Sequence, residues 1–306
     1  MFVMIHMREV ENLKIGVIGG GAVGLLISAY LSRKHDITLY TKTEEQAISV
    51  RTEGIHVIGP NPWTAYVKSR ADVLYKEEIL IIAVKQYSLP SLFGNLKQLP
   101  PKKIVFVQNG ITHIGRMKEL AQHELYISVV EHGALKKSPN TVHHTGIGKI
   151  RISPYDGGGA REFIDQLNTS DPLFLIQYEE DWEPVVLKKL AANAVINPLT
   201  ALFRMPNGHI VSNPYVAKLA KKLFHEVCDV LEINDKDDLW EYIESIAIKT
   251  KNNRSSMLSD IEHHKKTEID SILGDLIQKG KEKGAHTCTM EFLYNAIKGL
   301  ENREER

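Results

Sequence analysis

Short runs of apolar, mostly β-branched residues recur from residue 14 to about residue 178, and helix-length stretches separate them. These runs are Lys14–Ile18, Ile37–Thr41, Ile79–Lys85, Ile104–Gln108, Ile127–Glu131 and Lys149–Ile152. Runs that are apolar at every position, such as Ile79–Val84, are typical of parallel strands covered on both faces. We therefore predict a doubly wound α/β domain, with antiparallel strands added at the sheet edge by Thr141–Tyr155.

Beyond about residue 181 the apolar positions recur every three or four residues, which is typical of amphipathic helices. The predicted helices are Val185–Phe203, Pro214–Leu231, Asp237–Thr250, Thr267–Lys279 and Thr289–Leu300. The sequence thus predicts an N-terminal Rossmann-type α/β domain over residues 1–180 and an all-helical C-terminal domain over residues 181–306. Residues 1–13 are expected to be a frayed extension, with translation starting at Met1 or Met7.

One uncharged segment, Ile15–Ser32, is long enough to resemble a membrane span. Its five glycines, three of them consecutive, would break a spanning helix where lipid offers no partner for the freed backbone groups. A strand, a tight turn and a helix account for the segment better, so no membrane partner is expected.

The amino-acid composition limits the classes of partner molecule that we expect for this protein. The 306 residues include 38 Lys and Arg against 38 Asp and Glu, so no excess charge indicates a nucleic acid or an anionic membrane. The cysteines Cys228 and Cys288 are too few for a disulfide framework and suit packing in a reducing cytoplasm. The histidine pairs His143–His144 and His263–His264 lack converging Cys or Asp neighbours, so no metal site is predicted.

A G-x-G-x-x-G pattern spans the turn between the first predicted strand and helix. Its residues are Gly19, Gly20, Gly21, Ala22, Val23 and Gly24. In this context the first glycine allows the tight turn, the second lets a pyrophosphate approach the backbone, and the third permits close helix packing. The pyrophosphate would lie at the helix N-terminus, where free amides attract anions. The pattern predicts a dinucleotide site, against the alternative of a purely structural turn.

The second strand ends in Thr41-Lys42-Thr43, where an NAD-binding domain would carry an Asp or Glu for the ribose hydroxyls. A cation with two hydroxyls suits a 2'-phosphate, so NADPH is the predicted cofactor and Lys42 its recognition residue. The alternative is that Lys42 is a solvated surface lysine.

Two further polar residues, Lys85 and Asn109, follow predicted strands, at the edge where open α/β sheets bind ligands. Lys85 either faces a ligand or caps the sheet. Asn109–Gly110 is either a ligand contact or a plain turn, since Asn-Gly pairs favour turns. The sequence leaves both questions open.

Three polar residues form a stripe on the predicted helix Val185–Phe203. Lys189, Asn193 and Asn197 are spaced four apart and therefore lie on one helical face, within an otherwise apolar segment. Buried lysine and amide groups need polar partners, which a polar substrate would supply. The alternative is a face exposed to solvent.

A second polar cluster combines Ser255–Met257 with Thr267–Asp270. Thr267, as an N-cap with Asp270 three residues later, predicts the start of a new helix and puts Glu268 in its first turn. A carboxylate is favourable there for capping alone, so Glu268 has a structural explanation as well as a functional one.

Together these motifs resemble the ketopantoate reductase (2-dehydropantoate 2-reductase) family, from residue 14 to about residue 300. The resemblance rests on the glycine loop, Val84–Lys85, Gln108–Gly110, Lys189–Thr200, Pro206–Gly208, Ser255–Met257 and Thr267–Asp270. The helix with Lys189 and the Thr267–Asp270 segment are its most family-specific parts. The family is NADPH-dependent and acts in the synthesis of pantothenate (vitamin B5), the precursor of coenzyme A.

The resemblance implies a role for each matching residue. The catalytic residues would be Lys189 and Glu268. Substrate contacts would come from Asn109, Lys189, Asn193, Asn197, Asn207, Asn253 and Ser256. Cofactor contacts would come from Gly19–Gly24, Lys42, Lys85, Asn109, Glu268 and the backbone near Ala134. Lys42 stands where some relatives have arginine, which keeps the charge but loses the bidentate fork.

The reaction implied by the resemblance is hydride transfer from NADPH to the C2 carbonyl of 2-dehydropantoate, which gives pantoate. Lys189 would donate the proton, and Glu268 would accept a hydrogen bond from the substrate hydroxyl. Two alternatives stay open: a reductase of another 2-oxo acid, and a nicotinamide-binding sensor without catalysis. The expected partner is a small 2-oxo acid, the expected location is the cytoplasm, and a homodimer is compatible with the resemblance.

Overall fold

The computed structural model describes residues 12–157 and 160–302, so most of the predicted N-terminal extension lies outside the described residues. The chain divides into two compact units. The first takes in the described residues up to Val84, with Ser88–Gln108 and Glu119–Trp182. The second takes in Lys85–Tyr87, Asn109–Lys118 and the described residues from Glu183 onward. Two short segments from the first half of the sequence thus group with the helical unit.

The secondary structure follows the predicted pattern of a mixed half and a helical half. The strands are β1 Lys14–Ile18, β2 Asp36–Tyr40, β3 Ile55–Ile58, β4 Trp63–Ala65, β5 Lys68–Arg70, β6 Ile79–Ile82, β7 Lys103–Phe106, β8 Glu124–Val130, β9 Gly133–Ser138, β10 Thr141–Gly146, β11 Lys149–Pro154 and β12 Leu175–Tyr178. The helices are α1 Ala22–Leu31, α2 Glu44–Glu53, α3 Leu89–Leu96, α4 Ile114–Met117, α5 Arg161–Leu167, α6 Trp182–Phe203, α7 His209–Ser212, α8 Pro214–Leu231, α9 Lys236–Lys249, α10 Ser256–Glu262, α11 Asp275–Lys283 and α12 Cys288–Glu301. The predicted fold class is confirmed.

The larger sheet of the first unit has the strand order β12-β11-β8-β7-β6-β1-β2-β5. The six strands from β8 to β5 are parallel, with Ile18 of β1 opposite Tyr40 of β2 and Ile82 of β6. β11 runs antiparallel to β8, as predicted for part of Thr141–Tyr155. The prediction is wrong for the other part of that segment, because β10 pairs with β3 and β9 in a separate sheet of order β4-β3-β10-β9.

Helix α1 packs against strands of both sheets in the first unit. Each residue from Gly24 to Leu31 is buried, so this helix has no polar face. A helix that is apolar all round needs cover on every side, and the two sheets supply it. This explains the long uncharged segment Ile15–Ser32 without a membrane.

A buried hydrogen-bonded chain joins α1 to the smaller sheet. The Nδ1 atom of His132 accepts the Gly148 N–H at 3.2 Å and must therefore be unprotonated. The Nε2 of His144, 3.1 Å away, is then the donor to that same atom, and the Nδ1 of His144 is hydrogen-bonded to the Tyr30 hydroxyl at 3.0 Å. The imidazole of His132 is therefore neutral, since a proton on its Nδ1 would face two other donors, and burial lowers the pKa of His144 as well.

We predict that acid destabilises the first unit through His132. Burial, with His144 adding to the effect, lowers the pKa of His132 from 6.5 to about 4. An unfolded histidine takes up its proton first, so this contribution is complete above pH 6.5 and declines as the pH falls towards 4. At about 1.4 kcal/mol per pH unit, the free energy of unfolding should fall by roughly 3 kcal/mol.

Urea unfolding at a series of pH values measures this loss. His132→Asn keeps an acceptor oxygen without a titrating ring, so its stability should fall correspondingly less than that of the wild type. His209→Gln, which changes an exposed histidine, should follow the wild type. Equal pH slopes for His132→Asn and the wild type would refute the assignment.

The second unit is built from helices around a core that includes most of α6 from Leu190 to Ala201 and much of α8. Of the helices in the described part of the chain, α6 alone has the length and hydropathy to cross a membrane. However, 67% of its apolar window is buried within the protein, which is typical of a core helix. The helix continues across Pro198, and the Thr200 hydroxyl donates to the Ile196 carbonyl at 2.8 Å in the same turn.

Candidate active site

The glycine loop between β1 and α1 has two positions that only glycine fits. Gly19 has a φ of +120°, and a Cβ atom there would lie 2.8 Å from the backbone of Ala83 and Val84. At Gly24 a Cβ would lie 1.8 Å from the Gly19 carbonyl oxygen. The turn and the close packing of α1, assigned to these two glycines from the sequence, are therefore present.

Gly21 differs, because a Cβ at this position would meet no atom within 4 Å. Gly21 is the N-cap of α1 and makes no side-chain cap hydrogen bond. The space beside Gly21 thus lies at the N-terminus of α1, which is the positive end of the helix dipole. This arrangement fits the pyrophosphate of a dinucleotide.

The residues predicted to bind the 2'-phosphate of NADPH lie at the end of β2. Lys42 is exposed, as its proposed role requires. The Thr41 hydroxyl, however, is buried and donates to the Thr43 carbonyl at 2.9 Å, and Thr43 caps α2 by accepting the Gln46 N–H at 3.3 Å. The expectation of two hydroxyls for the phosphate is therefore wrong for Thr41, whose proton is used within the turn. Arg70 ends the neighbouring strand and pairs with Asp72.

The sequence does not decide whether Lys85 contacts a ligand or caps the sheet. In the structure its side chain belongs to a charged cluster in the second unit. Its Nζ lies 3.2 Å from Glu268 Oε2 and 3.3 Å from Asp260 Oδ2. Burial alone would lower the pKa of Lys85, but the carboxylates of Glu268 and Asp260 outweigh it, and the pKa is raised above 10.5. Lys85 therefore stays an ammonium ion.

Glu268 is the centre of this cluster. Its side chain is only 7% exposed, and Asn109 Nδ2 donates to its Oε2 at 3.1 Å. Gly110, with a φ of +84°, supplies the turn, and the Asn109 side chain contacts Glu268, so Asn109–Gly110 is more than a plain turn, while a ligand contact of Asn109 stays a prediction. Lys85 and Asn109, distant in sequence from Glu268, fix one oxygen of a buried carboxylate.

Sequence reasoning missed Asp260. It lies four residues after Ser256, on the same face of α10, and this spacing was the signal that could have found it. Burial raises the pKa of the Asp260 carboxyl above 3.8, although Lys85 opposes the change. Asp260 is thus a second carboxyl group that holds Lys85.

The polar stripe on α6 becomes more buried along the helix. Lys189 and Asn193 are half-buried, whereas Lys188, on another face, is exposed. Asn197 is buried, with 7% of its surface exposed. The three residues thus share one helical face that runs into the core, and a wholly solvated stripe is ruled out.

The end of α6 is tied to the loop before α10. Ser255 Oγ and Thr200 Oγ1 are hydrogen-bonded at 2.8 Å, with Ser255 as the donor because the Thr200 proton goes to the Ile196 carbonyl, and Ser255 caps α10 by accepting the Leu258 N–H at 3.1 Å. This contact places Ser256, exposed at the first position of α10, near the end of the stripe.

Asn207 and Asn253 also meet in the second unit. The Asn207 N–H donates to the Asn253 carbonyl at 3.0 Å, and Asn207 Nδ2 donates to Thr250 Oγ1 at 2.9 Å. Asn207 Oδ1 is buried with no hydrogen-bond partner in the described part of the protein. A ligand donor would satisfy it.

The predicted cap at Thr267 is wrong in detail. The Thr267 hydroxyl accepts the Ile269 N–H at 3.1 Å, and the Thr267 N–H donates to Glu301 at 2.7 Å, so Asp270 does not complete a capping box. Asp270 accepts the Tyr294 hydroxyl at 2.9 Å and begins a π-helical turn over Asp270–Gly274. Glu301 on α12 therefore accepts the hydrogen bond from the Thr267 N–H that the local sequence assigned to Asp270.

The predicted residues therefore fall into groups within each unit. The first unit holds Gly19–Gly24, Lys42 and Ala134, which lies on β9. The second holds Lys85, Asn109, Lys189, Asn193, Asn197, Asn207, Asn253, Ser256 and Glu268. Among residues 12–157 and 160–302 there is no cluster of three or more His, Cys, Asp or Glu side chains suited to a metal.

Two family models match the chain. One, described as ketopantoate reductase PanE/ApbA, matches residues 15–157. The other, described as ketopantoate reductase PanE/ApbA C terminal, matches residues 181–301. The matches extend through most of the sheet-containing half and the helical half.

Known bacterial proteins are similar over nearly their whole length. The 2-dehydropantoate 2-reductase of Bacillus subtilis (strain 168) is 38% identical over 298 residues, which cover 96% of this chain and 99% of that protein. A crystal structure of a probable 2-dehydropantoate 2-reductase from Bacillus subtilis has a TM-score of 0.85 at 38% identity and covers 94% of this chain and 100% of its own. A dimeric ketopantoate reductase from Staphylococcus aureus has a TM-score of 0.78 at 25% identity and covers 94% and 99%.

Proposed function

The chain belongs to the ketopantoate reductase family, and on that premise we propose that it reduces the C2 carbonyl of 2-dehydropantoate to give pantoate, with NADPH as reductant. The observation that carries the substrate assignment is the 38% identity, over nearly the full length, to a 2-dehydropantoate 2-reductase. The polar residues of the helical unit suit a small substrate with a carboxylate, a carbonyl and a hydroxyl. The reaction belongs to pantothenate synthesis.

The glycine loop and Lys42 would hold NADPH, with its pyrophosphate at the open N-terminus of α1 and its 2'-phosphate near Lys42. The bound nicotinamide would supply a hydride to the carbonyl carbon. Lys85, Asn109 and the backbone near Ala134 are further proposed cofactor contacts. The open space at Gly21 is the feature of this chain that best fits the group.

Lys189 is the proposed proton donor. An ammonium group can hydrogen-bond the carbonyl oxygen, stabilise the negative charge that develops there, and transfer a proton to it. The neighbouring amides on the stripe, Asn193 and Asn197, orient the substrate in this proposal. Asn207, Asn253 and Ser256 add hydrogen bonds to the substrate carboxylate and chain.

Glu268 is proposed to accept a hydrogen bond from the substrate hydroxyl. Lys85 and Asn109 both contact its Oε2, so its orientation is fixed before substrate binds. Its Oε1 would accept a charge-assisted hydrogen bond from the substrate hydroxyl. A substrate that lacks this hydroxyl would not make this hydrogen bond to Oε1, and Glu268 would keep its contacts with Lys85 and Asn109 alone.

Steady-state kinetics with a set of 2-oxo acids test the substrate assignment. We expect 2-dehydropantoate to have the highest kcat/KM, by roughly a hundredfold over 2-oxo acids without the hydroxyl, because the site loses a charge-assisted hydrogen bond. A higher kcat/KM with another 2-oxo acid would identify that acid, and not 2-dehydropantoate, as the substrate. NADPH binding without oxidation by any 2-oxo acid would instead indicate a sensor.

We further expect Lys42→Ala to weaken NADPH specifically. Removing a cation from the 2'-phosphate should raise the KM for NADPH roughly tenfold and leave that for NADH nearly unchanged. Lys68→Ala is the matched control, since Lys68 is an exposed lysine that pairs with Asp36 at the start of β2. An equal change for NADPH and NADH would contradict a role in phosphate recognition.

We place the protein in the cytoplasm and propose that it forms a homodimer. The cytoplasmic assignment rests on its two free cysteines, Cys228 buried and Cys288 exposed. The dimer is proposed from the Staphylococcus aureus relative, described as dimeric. Analytical ultracentrifugation distinguishes a dimer from a monomer.

A further inference from the structure

The carbonyl oxygen of Gly20, inside the glycine loop, accepts two side-chain hydrogen bonds. Lys136 Nζ on β9 lies 2.9 Å from it, and Gln46 Nε2 on α2 lies 2.7 Å from it. Gln46 is buried and also donates to the Pro139 carbonyl at 2.7 Å. A Cβ at Gly20 would lie 2.6 Å from the Gln46 amide group, so the Gln46 side chain packs directly against the loop. Donors from two elements therefore converge on one loop carbonyl.

These contacts fix the peptide between Gly20 and Gly21. A trans peptide is planar and its N–H points opposite to its C=O, so the Gly21 N–H points away from Lys136 and Gln46. Gly21 itself is exposed and has space around its missing Cβ. Lys136 and Gln46 thus contact one side of the loop, and the Gly21 N–H on the opposite side is available to an anion.

The two donors differ in charge. Gln46 already supplies a neutral hydrogen bond to the carbonyl, so this bond persists if Lys136 is removed. What Lys136 adds is a half-buried positive charge next to the glycine loop. An ammonium within several ångströms of a pyrophosphate attracts it strongly at the low effective dielectric of a protein surface.

We propose that Lys136 is a positioning residue of the dinucleotide site, whose charge raises the affinity for the pyrophosphate common to NADPH and NADH. This inference rests on the proposed binding of a nicotinamide dinucleotide at the glycine loop. It assigns Lys136 a role different from that of Lys42, because the 2'-phosphate is present in NADPH alone.

Three variants separate charge from hydrogen bonding. Lys136→Gln keeps a donor for the Gly20 carbonyl and removes the charge, whereas Lys136→Arg keeps both. Lys137→Gln removes the charge of the next residue, which is exposed. Each is titrated by fluorescence with NADPH, NADH and adenosine 2'-phosphate, which lacks the pyrophosphate.

We expect Lys136→Gln to raise the Kd of NADPH and of NADH by the same factor, roughly tenfold, and to leave the Kd of adenosine 2'-phosphate within about twofold. Lys136→Arg and Lys137→Gln should bind all three ligands like the wild type, and the melting temperatures of all three variants should match. Added salt should weaken NADPH binding less in Lys136→Gln than in the wild type.

Equal losses for NADPH and adenosine 2'-phosphate, or unchanged NADPH binding in Lys136→Gln, would overturn the inference. In the second case the wild type still binds NADPH, so the proposed function stands. If the wild type binds neither dinucleotide, the cofactor assignment and this inference both fail.

Discussion

Replacing Lys189 by alanine should lower kcat for 2-dehydropantoate by a hundredfold or more, in line with the roughly 10²–10⁴-fold contribution of a general acid. The alanine variant has no group to protonate the oxygen or to stabilise its developing charge. The KM for NADPH should stay nearly constant, because the proposed cofactor contacts are elsewhere. Initial rates of NADPH oxidation measure both quantities.

Lys188→Ala is the matched control. Lys188 precedes Lys189 on α6 but is exposed, with its Nζ 4.5 Å from the centre of the Tyr242 ring. Its loss should change kcat by less than about twofold, since surface substitutions have small effects. A near wild-type kcat for Lys189→Ala would show that Lys189 is not the proton donor.

Glu268→Gln should lower kcat/KM for 2-dehydropantoate by roughly thirty- to 150-fold, because it removes the negative charge from a hydrogen bond to the substrate hydroxyl worth about 2 to 3 kcal/mol. Glutamine keeps the size of the side chain, but Lys85 then has Asp260 as its one remaining carboxylate in the cluster. The loss should be smaller for a 2-oxo acid without the hydroxyl, which never makes this bond.

Glu262→Gln controls for removal of a negative charge from the same region. Glu262 lies on α10 and pairs with Arg254, which is exposed. This variant should keep the wild-type kcat/KM. If Glu268→Gln reduced kcat/KM equally for 2-oxo acids with and without the hydroxyl, Glu268 would not contact that group.

Six of the strands, the long helices of the second unit and the glycine loop could be predicted because local sequence determines them. Gly19 and Gly24 occupy positions where backbone geometry excludes a side chain, and that restriction is visible as spacing. The helix α6 could be predicted from its periodicity, which also brought Lys189, Asn193 and Asn197 onto one face.

Contacts between distant segments could not be predicted. Asp260 reaches Lys85 across 175 positions of sequence, and Lys136 reaches Gly20 across 116. The same limit explains the error at Thr267, where Glu301 supplies the acceptor expected from Asp270. It also explains β10, whose partners β3 and β9 form a sheet that periodicity does not reveal.

The most direct test of the proposed reaction follows the hydride itself. The wild-type protein is incubated with 2-dehydropantoate and NADPH carrying deuterium at both positions of nicotinamide C4, and the product is analysed by mass spectrometry. The proposed function predicts pantoate with one deuterium at C2 for each NADPH oxidised. Pantoate without deuterium, or NADPH consumed without pantoate, would contradict it.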